Sequence, residues 1–101
     1  MRAAVFRSSF DLALGEALRE PPGPGEVEVR VAAAGLCAGD LYIYLGKNPY
    51  VTYPRIGGHE IAGTVAALGP DVTGVSPGER VVVDPFIGCG RCYASRVGKR
   101  N

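Results

Sequence analysis

Along residues 26 to 31, EVEVRV, apolar and charged positions alternate without a break: Val27, Val29 and Val31 fall on one side, Glu26, Glu28 and Arg30 on the other. A period of two is the mark of a strand with one buried and one solvated face in an antiparallel sheet. The preceding REPPGPGE, residues 19 to 26, is a turn by its chemistry, since proline removes donors and fixes φ while glycine takes angles other residues avoid. It predicts a hairpin-like link back to a strand within Phe10 to Leu18. EIAGTVAALG at 60 to 69 reads as a strand in which Gly63 marks a bulge or a close backbone approach, and RVVVDP at 80 to 85 as a strand buried on both faces. A second proline and glycine turn, PDVTGVSPGE, separates them. AGDLYIYLG, residues 38 to 46, predicts a short helix with Asp40 in its first turn and Gly46 at its end. Short strands at this spacing predict a mainly β, barrel-like domain.

Composition narrows the class. The chain has 101 residues, 47% apolar and 21% charged, the make-up of one ordinary globular domain. Its core should be thin, because a chain this size buries only somewhat over about 60% of its unfolded surface. A net charge of +1 is too balanced for nucleic-acid binding. The local excess at Arg91, Arg96, Lys99 and Arg100 reads as a solvated lobe. No apolar run approaches the roughly 20 residues of a membrane span, and the opening MRAAVFRSSF meets a charge at Arg7 before a signal-type segment forms, so a cytoplasmic protein is expected. Three cysteines argue against a secreted disulfide framework and leave metal or redox chemistry open. No G-x-G-x-x-G turn or P-loop is present, so nothing in these residues cradles a pyrophosphate.

The lone histidine, His59, lies in GGHEIAG, and Cys37 lies at the end of the alternating strand. Thiolate and imidazole are zinc ligands, and a catalytic zinc takes three protein ligands with a position left open. Two are visible. A free cysteine is also a common apolar filler, and a single histidine is often a hydrogen-bonded core residue, so the pair alone leaves both readings open.

The wording around the pair adds to this. GLCAGD and YPRIGGHEIAGTVAALG, with PGPGEVEVRV and VTGVSPGERV, resemble the N-terminal, GroES-like catalytic domain of zinc-dependent medium-chain alcohol and polyol dehydrogenases over essentially all of residues 1–101. The resemblance implies a GroES-like, partly open barrel with one or two short helices and no Rossmann domain within these residues. It implies that Cys37 and His59 ligate a catalytic zinc, that Asp40 holds His59, and that Glu60 is the glutamate beside the metal, a ligand in some members. The glycines ahead of His59 are then expected to let the backbone approach the metal. GKNPYVTYPRIGGHE is most similar to members that oxidise polyols and sugar acids. Hydride would pass to NAD or NADP on a companion Rossmann domain, expected with the third ligand beyond residue 101, so the chain alone is expected to be inactive.

Two positions depart from the family pattern. Gly39 stands where a serine or threonine usually begins the relay that removes the substrate proton. CGRCYASRVGKRN resembles the four-cysteine structural-zinc lobe but offers Cys89 and Cys92, with Ser95 in a cysteine's place, so residues 86–101 read as a remnant that binds zinc weakly or not at all. A C-x-x-C redox pair is the rival reading of that lobe. Together the departures keep a second functional reading open: a catalytically silent GroES-like module, from a truncated or degenerated gene, that self-associates as a homodimer or larger oligomer.

Overall fold

The computed structural model describes residues 1–99. Six strands and two short helices follow one another as β1 (Arg2–Ser8), β2 (Asp11–Glu16), β3 (Val27–Gly35), α1 (Ala38–Tyr44), β4 (Arg55–Ile56), β5 (Glu60–Leu68), β6 (Arg80–Val82) and α2 (Tyr93–Arg96). They form two three-stranded antiparallel sheets, ordered β2-β1-β4 and β3-β5-β6. This is the mainly β, partly open architecture with short helices that the sequence predicts. Among the described residues no helix is long and apolar enough to cross a membrane. Arg100 of the basic cluster, and the last two positions of the 86–101 lobe, lie outside the described residues.

Gly63 performs as expected. A Cβ there would overlap the Arg30 carbonyl and lie 2.7 Å from Val29 Cγ1, so only glycine lets β5 lie this close to β3. Both strands carry irregularities at this point, with register shifts between Glu28 and Val29 and between Val31 and Ala33. A bulge adds a residue to one strand and so resets which face the next side chain takes. A first correction follows: the valine face of EVEVRV is not uniformly buried, for Val27 is 37% and Val31 51% exposed, because a three-stranded sheet over so small a core does not cover the whole face.

Two further expectations change. The 19–26 turn does not close a hairpin onto β3, because β2 pairs with β1 in the other sheet and β3 pairs with β5. The turn instead docks on the end of β5: Gly25 N donates to Pro70 O at 2.8 Å and Gly69 N to Glu26 O at 2.8 Å. RVVVDP supplies only the three-residue edge strand β6, with Val82 82% exposed rather than buried. An edge strand has a neighbour on one side only, and alternation alone does not reveal that.

The core is small, as the chain length implies. Phe6 of β1 is 1% exposed, Val65 of β5 2%, and Ile43 of α1 8%. Burying a side chain of this kind contributes about 1.5–3 kcal/mol. The radius of gyration is 15.4 Å, against about 13 Å for a compact 100-residue domain, which fits the flattened, open shape. The β1–β2 turn is fastened to the end of α1, where Phe10 N donates to Tyr44 O at 2.7 Å and the two rings meet edge to face at 5.5 Å. These contacts fix α1, and with it Cys37, against β1.

Candidate metal centre

Cys37 is the N-cap of α1, its backbone extended at φ −109° and ψ −179°. Its sulfur accepts the Gly39 N–H at 3.1 Å, while Asp40, three residues on, accepts the Cys37 N–H at Oδ2 at 3.0 Å. This is a capping box with sulfur in the place of a serine hydroxyl, and it satisfies two donors that a helix start leaves free. The local sequence C-x-x-D therefore does two things: it begins the helix, and it fixes the Cys37 sulfur beside the Asp40 carboxylate.

Asp40 is 3% exposed, the one buried charged residue among those described. A buried carboxylate needs partners on both oxygens. It has them: Oδ1 accepts Gly58 N–H at 3.2 Å, and Oδ2 faces His59 Nδ1 at 3.3 Å as well as Cys37 N. Since a carboxylate only accepts, the His59 proton belongs on Nδ1, leaving the Nε2 lone pair free. Nε2 points at Cys37 Sγ, 3.2 Å away. With Zn–S about 2.3 Å and Zn–N about 2.0 Å, one ion touches both donors only if they lie within about 4.3 Å, and they do. Cys37, Asp40 and His59 offer ligand atoms that all lie within 4.8 Å of one another.

The glycines ahead of His59 also answer to packing and to backbone conformation. A Cβ at Gly57 would lie 2.5 Å from Phe6 Cε2, so the chain runs flat against the core ring. Gly58 sits at φ +83°, a conformation L side chains rarely adopt, and a Cβ there would meet Gly35 O at 3.4 Å. They serve packing and the turn that aims Gly58 N–H and the imidazole at Asp40.

Glu60 is not brought into this group. It opens β5 opposite Gly35, and a Cβ on Gly35 would lie 2.6 Å from Glu60 Oε2, so the carboxylate lies across that glycine. The group whose ligand atoms lie within 4.8 Å of one another is Cys37, Asp40 and His59. At Gly39 a Cβ would lie 3.2 Å from Cys37 Sγ and 3.9 Å from His59 Cε1, so the absent side chain is one that would border both donors. The Gly58 to Asp40 bond is the element of the site that sequence reading missed; no local pattern signals a contact across eighteen residues.

In the second lobe, Cys92 caps α2 and accepts the Ser95 N–H at 3.5 Å, and Cys89 Sγ accepts the Cys92 N–H at 3.3 Å. Ser95 Oγ lies 3.6 Å from Cys89 Sγ and 3.4 Å from Cys92 Sγ. Backbone N–H groups of Cys92 and Arg91, then the Ser95 hydroxyl and Cys92, hold the Cys89 thiol down to about 6. Two thiols and a hydroxyl that stays protonated at neutral pH do not make the four-coordinate set of a structural zinc, so the described residues do not fit that ion.

Residues 23–101 match the family model of the alcohol dehydrogenase GroES-like domain. The starvation-sensing protein RspB of Escherichia coli K12 is 43% identical over 101 residues, covering all of this chain and 30% of that protein. Among solved structures, an alcohol dehydrogenase from E. coli CFT073 complexed with NADH superposes with a TM-score of 0.88 at 40% identity, over 99% of this chain and 29% of that one. A thermostable alcohol dehydrogenase from Pyrobaculum aerophilum with bound cobalt and zinc gives a TM-score of 0.84 at 42% identity, over 99% of this chain and 31% of that one. The chain thus spans about three-tenths of the length of these relatives.

Proposed function

Because the chain belongs to the alcohol dehydrogenase GroES-like domain family, we propose that Cys37 and His59 hold a catalytic zinc and that these residues are the metal-bearing part of an NAD(P)-dependent alcohol or polyol dehydrogenase. The observation that carries the reading is the 3.2 Å approach of Cys37 Sγ to an imidazole nitrogen whose other nitrogen is held by buried Asp40. Zinc, when bound, supplies a Lewis acid that makes an alcohol hydroxyl more acidic. Cys37 contributes negative charge through a sulfur steadied by the Gly39 N–H. His59 presents Nε2, and Asp40 fixes its tautomer and ring plane. Glu60 is left out of the ligand set because its carboxylate lies across Gly35.

Gly39 offers no hydroxyl to receive the substrate proton, so in this reading the proton leaves through water, and general-base help worth roughly 10²-fold or more is not supplied by a side chain at that position. The described residues have no glycine-rich dinucleotide turn, so the nicotinamide is assigned to none of them. Support for the whole-protein reaction comes from the relatives, named as alcohol dehydrogenases and solved with NADH or with cobalt and zinc.

Cobalt(II) and zinc titration of the purified chain tests the assignment. One ion per chain with a sulfur-to-cobalt charge-transfer band, lost in Cys37→Ser and His59→Asn, is the expected result; binding that survives both substitutions overturns it. The second reading, a self-associating module, draws on exposed apolar side chains, Leu14 at 82%, Leu18 at 88% and Val82 at 82%. A monomer across the concentration range in sedimentation equilibrium rejects it.

A further inference from the structure

The C-x-x-C of the second lobe is unused by the metal centre, and its described residues offer two thiols where a structural zinc takes four ligands, yet its two sulfurs are held together. Cys89 Sγ accepts from the backbone nitrogen of Cys92 itself, at 3.3 Å, and both sulfurs share Ser95 Oγ as a neighbour. Both thiols are exposed, so a reagent from solvent reaches either. We propose that Cys89 and Cys92 are a redox-active dithiol, a modification site that a low-molecular-weight disulfide of the glutathione type closes into an intramolecular Cys89–Cys92 disulfide.

The roles of the two sulfurs differ. Cys89 receives backbone and side-chain hydrogen bonds that stabilise its thiolate, whereas Cys92 Sγ is engaged with the Ser95 N–H as the cap of α2. The Cys89 thiolate attacks one sulfur of the small disulfide; a Cys89–glutathione bond forms, the reagent's own S–S bond breaks, and one glutathione thiolate leaves. The Cys92 sulfur gives up its proton and attacks the Cys89 sulfur, forming the protein disulfide and expelling the second thiolate. Two cysteines lose two electrons, the reagent gains them, and the two released thiolates take up the two protons. Ser95 is central: its hydroxyl touches both sulfurs without offering the third thiolate that would favour zinc over oxidation.

The 101-residue chain, reduced and then equilibrated anaerobically over a range of glutathione redox buffers, with and without one equivalent of zinc, is quenched by acid and alkylation and mapped by mass spectrometry. The expected product has lost two hydrogens within the segment holding Cys89 and Cys92, leaves Cys37 alkylatable, and forms equally with zinc present. Cys92→Ser should stop at a glutathione adduct on Cys89, while Cys89→Ser should form its adduct on Cys92 slower by about tenfold. Accumulation of mixed disulfide without the intramolecular bond in the unsubstituted chain, protection of both cysteines by zinc, or equal adduct rates in the two variants would each overturn the proposal. The mapping on the unsubstituted chain decides even if a variant fails to fold.

Discussion

Gly58 donates its backbone N–H to Asp40 Oδ1 at 3.2 Å, joining the turn before β5 to the first turn of α1. That one bond ties the segment carrying the imidazole to the segment carrying the sulfur, and the same carboxylate meets both.

Asp40→Asn keeps the shape but removes an acceptor from a buried site whose three neighbours offer only N–H groups. We expect a loss of about 1–3 kcal/mol in stability and a fall of roughly 10–100-fold in cobalt affinity. Urea unfolding with and without metal separates the two effects.

Gly57→Ala sets a methyl 2.5 Å from Phe6 Cε2, in the most enclosed part of the core. Overpacking of this kind costs about 1–3 kcal/mol. Thermal unfolding should show a midpoint several degrees lower, and an unchanged midpoint would mean that the Phe6 ring moves aside freely.

Gly39 has no backbone need for glycine, since it lies inside α1 and not in the left-handed region. Alanine is favoured over glycine in a helix by about 1 kcal/mol, offset by a Cβ contact at 3.2 Å to Cys37 Sγ. Gly39→Ala should therefore leave stability equal or slightly higher while weakening metal uptake, a combination that calorimetry with a cobalt titration reads directly.

The Cys89 thiol, held down to about 6 from an ordinary 9.0, should be alkylated at a rate that rises through pH 6 and then levels off. Its folded pKa is below its unfolded one, so any stability linked to it is fully present above pH 9.0 and lost as pH falls through about 6. Ser95→Ala removes one of the bonds to the thiolate and should move the alkylation midpoint upward, measured by isotope-coded labelling across pH.

Much of the site was legible because its signals are local. Asp40 was expected in the first turn of a short helix and stands there, while Cys37 and His59 were joined as ligands by the resemblance of the words around them, the pair alone leaving a core reading open. β5 was legible for the same reason, as a mostly apolar run with one glycine. The pairing of β2 with β1, the edge position of β6 and the exposure of Val31 were not, because each depends on which strand lies alongside, and distant contacts set that. Glu60 was placed beside the metal by the resemblance, a ligand in some members; its carboxylate lies next to Gly35.

The sulfur of Cys37 is at once the acceptor that opens α1 and the partner of the imidazole. It is consequently a single point of failure. Alkylating or oxidising that one atom should take the acceptor from the Gly39 N–H and the sulfur from beside His59 Nε2 at the same time. Damage at this atom thus spreads to both halves of the centre and should appear first as fraying of α1, ahead of any change in the sheets.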